Sequence, residues 1–416
     1  MESYTLIGPF TQLLTMKGLP IKGALKDKQL DIISNGGIVF RNGIIEQVGV
    51  FSDLSAQFLG KQVELMLISG DAVCLPAFID CHTHIAFGGS RANDFALRNA
   101  GSSYLEIANA GGGIWSTVQQ TRALSQEQLK EVIVERANEL LEQGIATVEV
   151  KSGYGLSVAE ELKMLRAIRE ANDATEVDLI ATCLAAHTLP KDFEGSAADY
   201  LDLMANEVLP ILISEKLSNR IDAFIEQSAF SSENIQSYFA KAKELGFDLT
   251  VHADQFTTSG SAVAVQFEAR SADHLEVSGE AEIEALAKSD VIPVALPGAS
   301  LGLGCPFTPA RKLLDAGASL AIASDWNPGS APMGKLLTQA SVLATFEKLS
   351  NAEVLAGITF RAAAALGLSD RGRIQKGYLA DFIVFATPTY QDITYLQGAL
   401  QPTQLWKKGT SIIQQA

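Results

Sequence analysis

From Ala72 onward the chain repeats one pattern, a short apolar run, a loop, then a stretch whose apolar positions recur at helical spacing. The runs that read as strands are Val73–Ile79, Ala146–Val150, Leu179–Ala185, Ala223–Glu226, Asp248–Val251, Ala269–Ala272, Val291–Ala295 and Leu320–Ala323. Helical stretches lie between them at Gln126–Glu142, Val158–Asn172, Asn234–Leu245, Ala281–Lys288 and Met333–Lys348, with another at Ala352–Ala365. Ser157-x-x-Glu160 has the spacing of a capping box, and Gly246 stands where a helix-ending glycine would. Eight strands alternating with helices predict a (β/α)8 barrel of the α/β class. An open doubly wound sheet fits the same spacing, but no G-x-G-x-x-G follows the first strand.

Both ends of the chain break this rhythm. Asn35–Ile45 reads as a hairpin with an Asn-Gly turn, and Gly372–Phe385 and Leu405–Ile413 return to strand-and-turn character. The two ends are therefore expected to pair into one small domain beside the barrel.

Composition narrows the function. At 416 residues the chain suits a large barrel plus a smaller domain, and a net charge of −16 argues against a nucleic-acid partner, whose phosphates need a basic footprint. No stretch approaches the roughly 20 apolar residues of a membrane span. Met1-Glu2-Ser3-Tyr4-Thr5-Leu6 lacks the basic start of a secretory signal, so the cytoplasm is the expected address. The four cysteines form no C-x-x-C pair, which suits a reducing compartment, and Cys81 reads as a small strand filler rather than a nucleophile.

The histidines carry the chemistry. All five, His82, His84, His187, His252 and His274, fall at or just past the ends of strand-like runs, and so does Asp325. Barrel active sites gather at those ends. In extended chain His82 and His84 point to one side, where two imidazoles can grip a single ion that His252 and Asp325 complete. Such a site leaves room for water, which a bound ion can bring from a pKa of 15.7 to about 7. Asp325 can coordinate or take the water's proton. A lone histidine is more often a hydrogen-bonded core residue, but that reading would have to hold five times and leaves the His-x-His spacing unexplained.

Pro76-Ala77-Phe78-Ile79-Asp80-Cys81-His82-Thr83-His84 resembles the first-strand signature of the amidohydrolase superfamily, and Lys376-Gly377-Tyr378-Leu379-Ala380-Asp381-Phe382-Ile383-Val384 is similar to its C-terminal one. The resemblance implies a distorted barrel over 74–373 and a composite β-sandwich from 1–73 and 374–416. Dinuclear members place a carboxylated lysine after the fourth strand. The stretch taken as corresponding, Cys183–Thr188, offers His187, so one metal ion per subunit, zinc or iron, is expected, with Lys151 structural or gating.

Four loops resemble those of superfamily members that open a small cyclic amide with a carboxylate tail. They are Phe87–Arg91, Ala110–Ile114, Lys151–Leu156 and Asp325–Ser330. The substrate so implied is 4-imidazolone-5-propanoate, hydrolysed to N-formimidoyl-L-glutamate in histidine degradation. Arg91 is then expected to bind the tail bidentately, helped by Tyr154, with Asn327, Gly329 and Ser330 offering donors to the substrate. His187 contacts the substrate, and either His187 or His274 donates to the developing oxyanion. His274 lies near the metal. Gln255 can bind the ring but cannot serve as base, which leaves Asp325 or His274. The Gly111–Gly113 run reads as a mobile cover or a plain turn, not a phosphate loop. A homodimer is implied by the resemblance alone. The alternatives are a superfamily hydrolase or deaminase acting on another cyclic amide or amidine, and a barrel kept as a non-catalytic scaffold.

Overall fold

The computed structural model describes residues 3–102, 106–107 and 111–414. Two eight-stranded sheets organise it. The first combines β1 (Tyr4–Leu14), β2 (Ile32–Arg41), β3 (Ile44–Val50), β4 (Val63–Leu67) and β5 (Val73–Pro76) with three strands from the far end of the chain. The second is all parallel and runs in chain order: β6 (Phe78–Asp80), β7 (Ile145–Lys151), β8 (Asp178–Ala186), β9 (Arg220–Phe224), β10 (Asp248–Ala253), β11 (Ser271–His274), β12 (Ile292–Ala295) and β13 (Ala321–Ile322). β14 (Phe382–Phe385), β15 (Gln404–Lys407) and β16 (Thr410–Gln414) then rejoin the first sheet, β14 antiparallel to β5.

The parallel sheet closes on itself. Beyond β6 and β13 the pairing continues, with Asp325 N donating to His82 O at 3.0 Å and His84 N to Trp326 O at 2.9 Å, and Thr83 bridging Trp326 in parallel. Ser324 N donates to Asp80 Oδ1 at 3.0 Å just below. The first strand of the barrel is thus stitched to the last at the very residues proposed to hold the metal.

In the β-rich unit, long β1 is bulged between Ile7 and Phe10 and pairs first with β4 and then with β5. The Asn42-Gly43 hairpin turn has φ of 53° and 76°, the left-handed pair its type requires. The C-terminal signature works as a clasp, since Asp381 O accepts from Ala77 N at 3.1 Å and its carboxylate bonds Lys407 Nζ and Lys408 N.

Three expectations need correcting. The predicted strand Val73–Ile79 is two strands, because Ala77 bends the chain from one sheet into the other between β5 and β6. The predicted helix Ala352–Ala365 breaks into Asn351–Gly357 and Phe360–Ala365, and Ile358 O is taken by Ile79 N of β6 at 2.9 Å. Ser157 does cap its helix by accepting from Glu160 N, but Glu160 pairs with Lys163 instead of closing a reciprocal box.

Candidate active site

The five histidines and Asp325 lie at or just past the ends of barrel strands. His82 and His84 flank Thr83, which turns the other way and donates its hydroxyl to Glu149 O. His252 lies near the end of β10, His274 closes β11, and His187 follows β8. His274 and Asp325 take left-handed backbone, with φ of 81° and 53°. Such conformations in non-glycine residues collect at functional sites.

Three of the proposed ligands, His82, His84 and His252, cluster together, and Asp325 approaches two of them. His84 Nε2 lies 3.3 Å from His82 Nε2 and 3.2 Å from His252 Nε2. Asp325 Oδ1 is 3.4 Å from His82 Nε2 and 3.5 Å from His84 Nε2. A tetrahedral ion with ligands at 2.0–2.1 Å has ligand–ligand edges of about 3.3 Å. The other ring nitrogens make the same point. His82 Nδ1 meets Asp273 Oδ2 at 2.6 Å and His252 Nδ1 meets Asp222 Oδ2 at 2.9 Å. A carboxylate partner puts the proton on Nδ1, so both Nε2 atoms present lone pairs, and a single His84 N–H cannot satisfy both. A cation fits all three. Burial keeps the imidazoles neutral, pushing His82 and His84 well below the ordinary value and His252 down to about 3.

Beneath this ring lies a fully buried charge cluster that the sequence reading did not assemble. Lys151 Nζ is 2.7 Å from Glu149 Oε1, 2.8 Å from Asp222 Oδ2 and 3.8 Å from Asp273 Oδ2. Burial alone would lower the lysine, yet the three carboxylates hold it above its ordinary value. One ammonium therefore braces both acids that orient His82 and His252. The available signal was an acid standing inside an apolar strand, as in Ile221-Asp222-Ala223 and Val148-Glu149-Val150. The fourth barrel strand is β9, which carries no lysine, whereas His187 follows the third. The comparison with a lysine-bearing fourth strand therefore belongs to β9, not to the stretch first matched to it.

On the substrate side, Tyr154 and His187 pack beside His84, with ring centroids 6.0 and 5.6 Å away. His187 Nδ1 lies 2.9 Å from Gly153 O, and a carbonyl only accepts, so the proton is on Nδ1. Burial pushes His187 down to about 4. Its Nε2 is then an acceptor, which corrects its expected part as oxyanion donor. His274 differs. Burial disfavours its charge, but Glu276 at 3.3 Å from Nδ1, together with Asp325 and Asp273, raises it above the ordinary value. His274 is the better proton holder. Burial pushes Asp325 up to about 7, with His274 opposing.

The loop after Asp325 turns inward. Asn327 Oδ1 accepts from Gly329 N and Ser330 N, each at 2.8 Å, and its amide donates to Asp325 O at 2.7 Å. Those backbone donors brace the loop, and of the expected set the Ser330 hydroxyl is the one turned toward Asp325. Gln255, three residues past His252 in the chain, is buried. Arg91 bonds through Nε to Asp94 Oδ2 at 2.7 Å, so it has an internal partner that the sequence reading did not foresee. Ala110 of the glycine-rich loop lies outside the described residues.

The family model described as Amidohydrolase family matches residues 105–409. The chain is 39% identical over 407 residues to the imidazolonepropionase of Myxococcus xanthus, covering 96% of each chain. It is 40% identical over 391 residues to that of Pseudomonas putida, covering 93% of this chain and 96% of the relative. The structure resembles atrazine chlorohydrolase from Arthrobacter aurescens complexed with zinc, with a TM-score of 0.73 at 19% identity, covering 99% of this chain and 95% of that one.

Proposed function

Since this chain belongs to the amidohydrolase family, among the imidazolonepropionases, we propose that His82, His84, His252 and Asp325 hold one metal ion at the barrel mouth. The enzyme hydrolyses the cyclic amide of 4-imidazolone-5-propanoate to N-formimidoyl-L-glutamate in histidine degradation. The observation that supports the residue assignment is His84 Nε2 standing 3.2–3.3 Å from the Nε2 atoms of His252 and His82, with Asp325 Oδ1 3.4–3.5 Å from His82 and His84.

The ion, when bound, supplies Lewis acidity and brings a water toward deprotonation near neutral pH. The chain's own residues do the rest. Arg91 and Tyr154 receive the carboxylate tail and fix the ring. His187 Nε2 accepts the ring N–H. The water oxygen bonds to the ring carbonyl carbon as Asp325 takes a water proton. His274 donates a hydrogen bond to the carbonyl oxygen while negative charge gathers there. The amide C–N bond then breaks, and the departing ring nitrogen takes the proton from Asp325. Gln255 can hold the ring by its amide.

Three imidazoles and a carboxylate suit zinc or iron, and elemental analysis of the purified protein distinguishes them. The same reading takes the enzyme as a cytoplasmic homodimer, on its likeness to the family, and sedimentation reads the assembly. The central test is His252→Ala, expected to remove bound metal and ring-opening activity together. A variant that keeps a full equivalent of metal would overturn the ligand set.

A further inference from the structure

What aims Arg91 is a residue outside every motif above. Asp94, one turn into the helix Ala92–Asn99, is buried, and its Oδ2 accepts from both Arg91 Nε at 2.7 Å and Gly113 N at 2.8 Å. The glycine run lies directly on this carboxylate, since a Cβ at Gly112 would stand 2.3 Å from Asp94 Oδ1. On the far side a Cβ at Gly329 would stand 2.6 Å from Arg91 Nη1. The guanidinium is thus gripped by its Nε edge and flanked by the Asp325–Ser330 loop.

A long arginine side chain has many rotamers, and holding one of them is most of what a carboxylate reader needs. With Nε engaged, the Nη1–Nη2 edge is the one left for a bidentate pair with an incoming carboxylate. Charge favours the same ligand. Arg98 brings a second cation near Arg91 and Asp94.

We propose that Asp94 is a positioning residue that sets specificity for an anionic tail, by locking the Arg91 fork and tying it to the glycine run at Gly112–Gly113. The proposal rests on Arg91 as the tail-binding group, and the experiment separates the two. The metal-loaded wild type, Asp94→Asn and Arg91→Ala are compared with 4-imidazolone-5-propanoate as substrate. Two competitive inhibitors are added, 3-(imidazol-4-yl)propanoate and its uncharged primary amide.

Losing one charge-assisted bond predicts that Asp94→Asn raises KM and the carboxylate inhibitor's Ki by about ten-fold or more, with kcat and the amide's Ki within about two-fold of wild type. Arg91→Ala should act in the same direction. If Arg91→Ala leaves the carboxylate inhibitor unaffected, the tail reading itself is wrong. If Arg91→Ala weakens it and Asp94→Asn does not, the positioning role is wrong. Equal losses for both inhibitors in Asp94→Asn mean general loosening and also sink the proposal. Should Asp94→Asn not fold, Gly112→Ala makes the same test, because its methyl group displaces the Asp94 carboxylate while leaving the charge in place.

Discussion

At His274 the backbone sits at φ 81°, a left-handed conformation that costs a non-glycine residue about 1–3 kcal/mol. Thr308 holds it there by donating its hydroxyl to His274 O, and the following Leu275 is left-handed as well, at φ 69°. The strain turns the imidazole toward Asp325 while Glu276 keeps its Nδ1 engaged. His274→Asn is therefore expected to retain metal and to lower kcat by about 10²–10⁴-fold, the usual scale for a removed acid or base group. Steady-state kinetics with metal analysis on the same sample checks this. Loss of the metal would make His274 a ligand instead. His187 shows the limit of reading residues alone. Its place after a strand was visible in the chain, but its role turned on the proton at Nδ1. That proton is assigned by Gly153 O, which belongs to a loop on another strand.

Strand β7 illustrates the next scale. Its apolar run was readable, yet Thr147, Glu149 and Lys151 alternate within it and all are buried. In a barrel, alternate positions face the interior, so polar residues at that spacing build a network there rather than meeting solvent. Lys151→Met would leave Glu149, Asp222 and Asp273 facing one another without their cation. Breaking a buried pair from one side predicts a loss of about 3–5 kcal/mol in chemical denaturation of the metal-free protein. A change under 1 kcal/mol would show that the cluster is not a charged network. Element boundaries failed for a related reason. The helix break at Ile358 is imposed by Ile79 N claiming its carbonyl, a contact between residues far apart in the chain.

Across the whole molecule, Asp178 at the start of β8 joins the barrel to the terminal sheet. Its carboxylate bonds Arg371 Nη1, Lys407 Nζ at 2.7 Å and Lys408 Nζ at 3.0 Å. Burial alone would raise its pKa, but Lys407, Lys408 and Arg371 together hold it well below the ordinary carboxylate value. A depressed carboxylate binds fewer protons folded than unfolded, so its contribution is complete above about pH 4 and fades as pH falls further. Asp178→Asn should accordingly cost about 1.5–3 kcal/mol near neutrality. The deficit should shrink below pH 4, read by urea denaturation at both values, and a deficit independent of pH would exclude the ionic clamp. The sequence by itself determined the strand–helix alternation, the β-rich ends and the placing of the histidines and Asp325 at strand ends, because periodicity and residue chemistry are local properties of a chain. Which proton each histidine carries, what steadies Arg91 and how Lys151 balances three acids were decided only by tertiary structure. Those depend on groups from different strands meeting in a space without water, where each partner's charge and geometry set the other's.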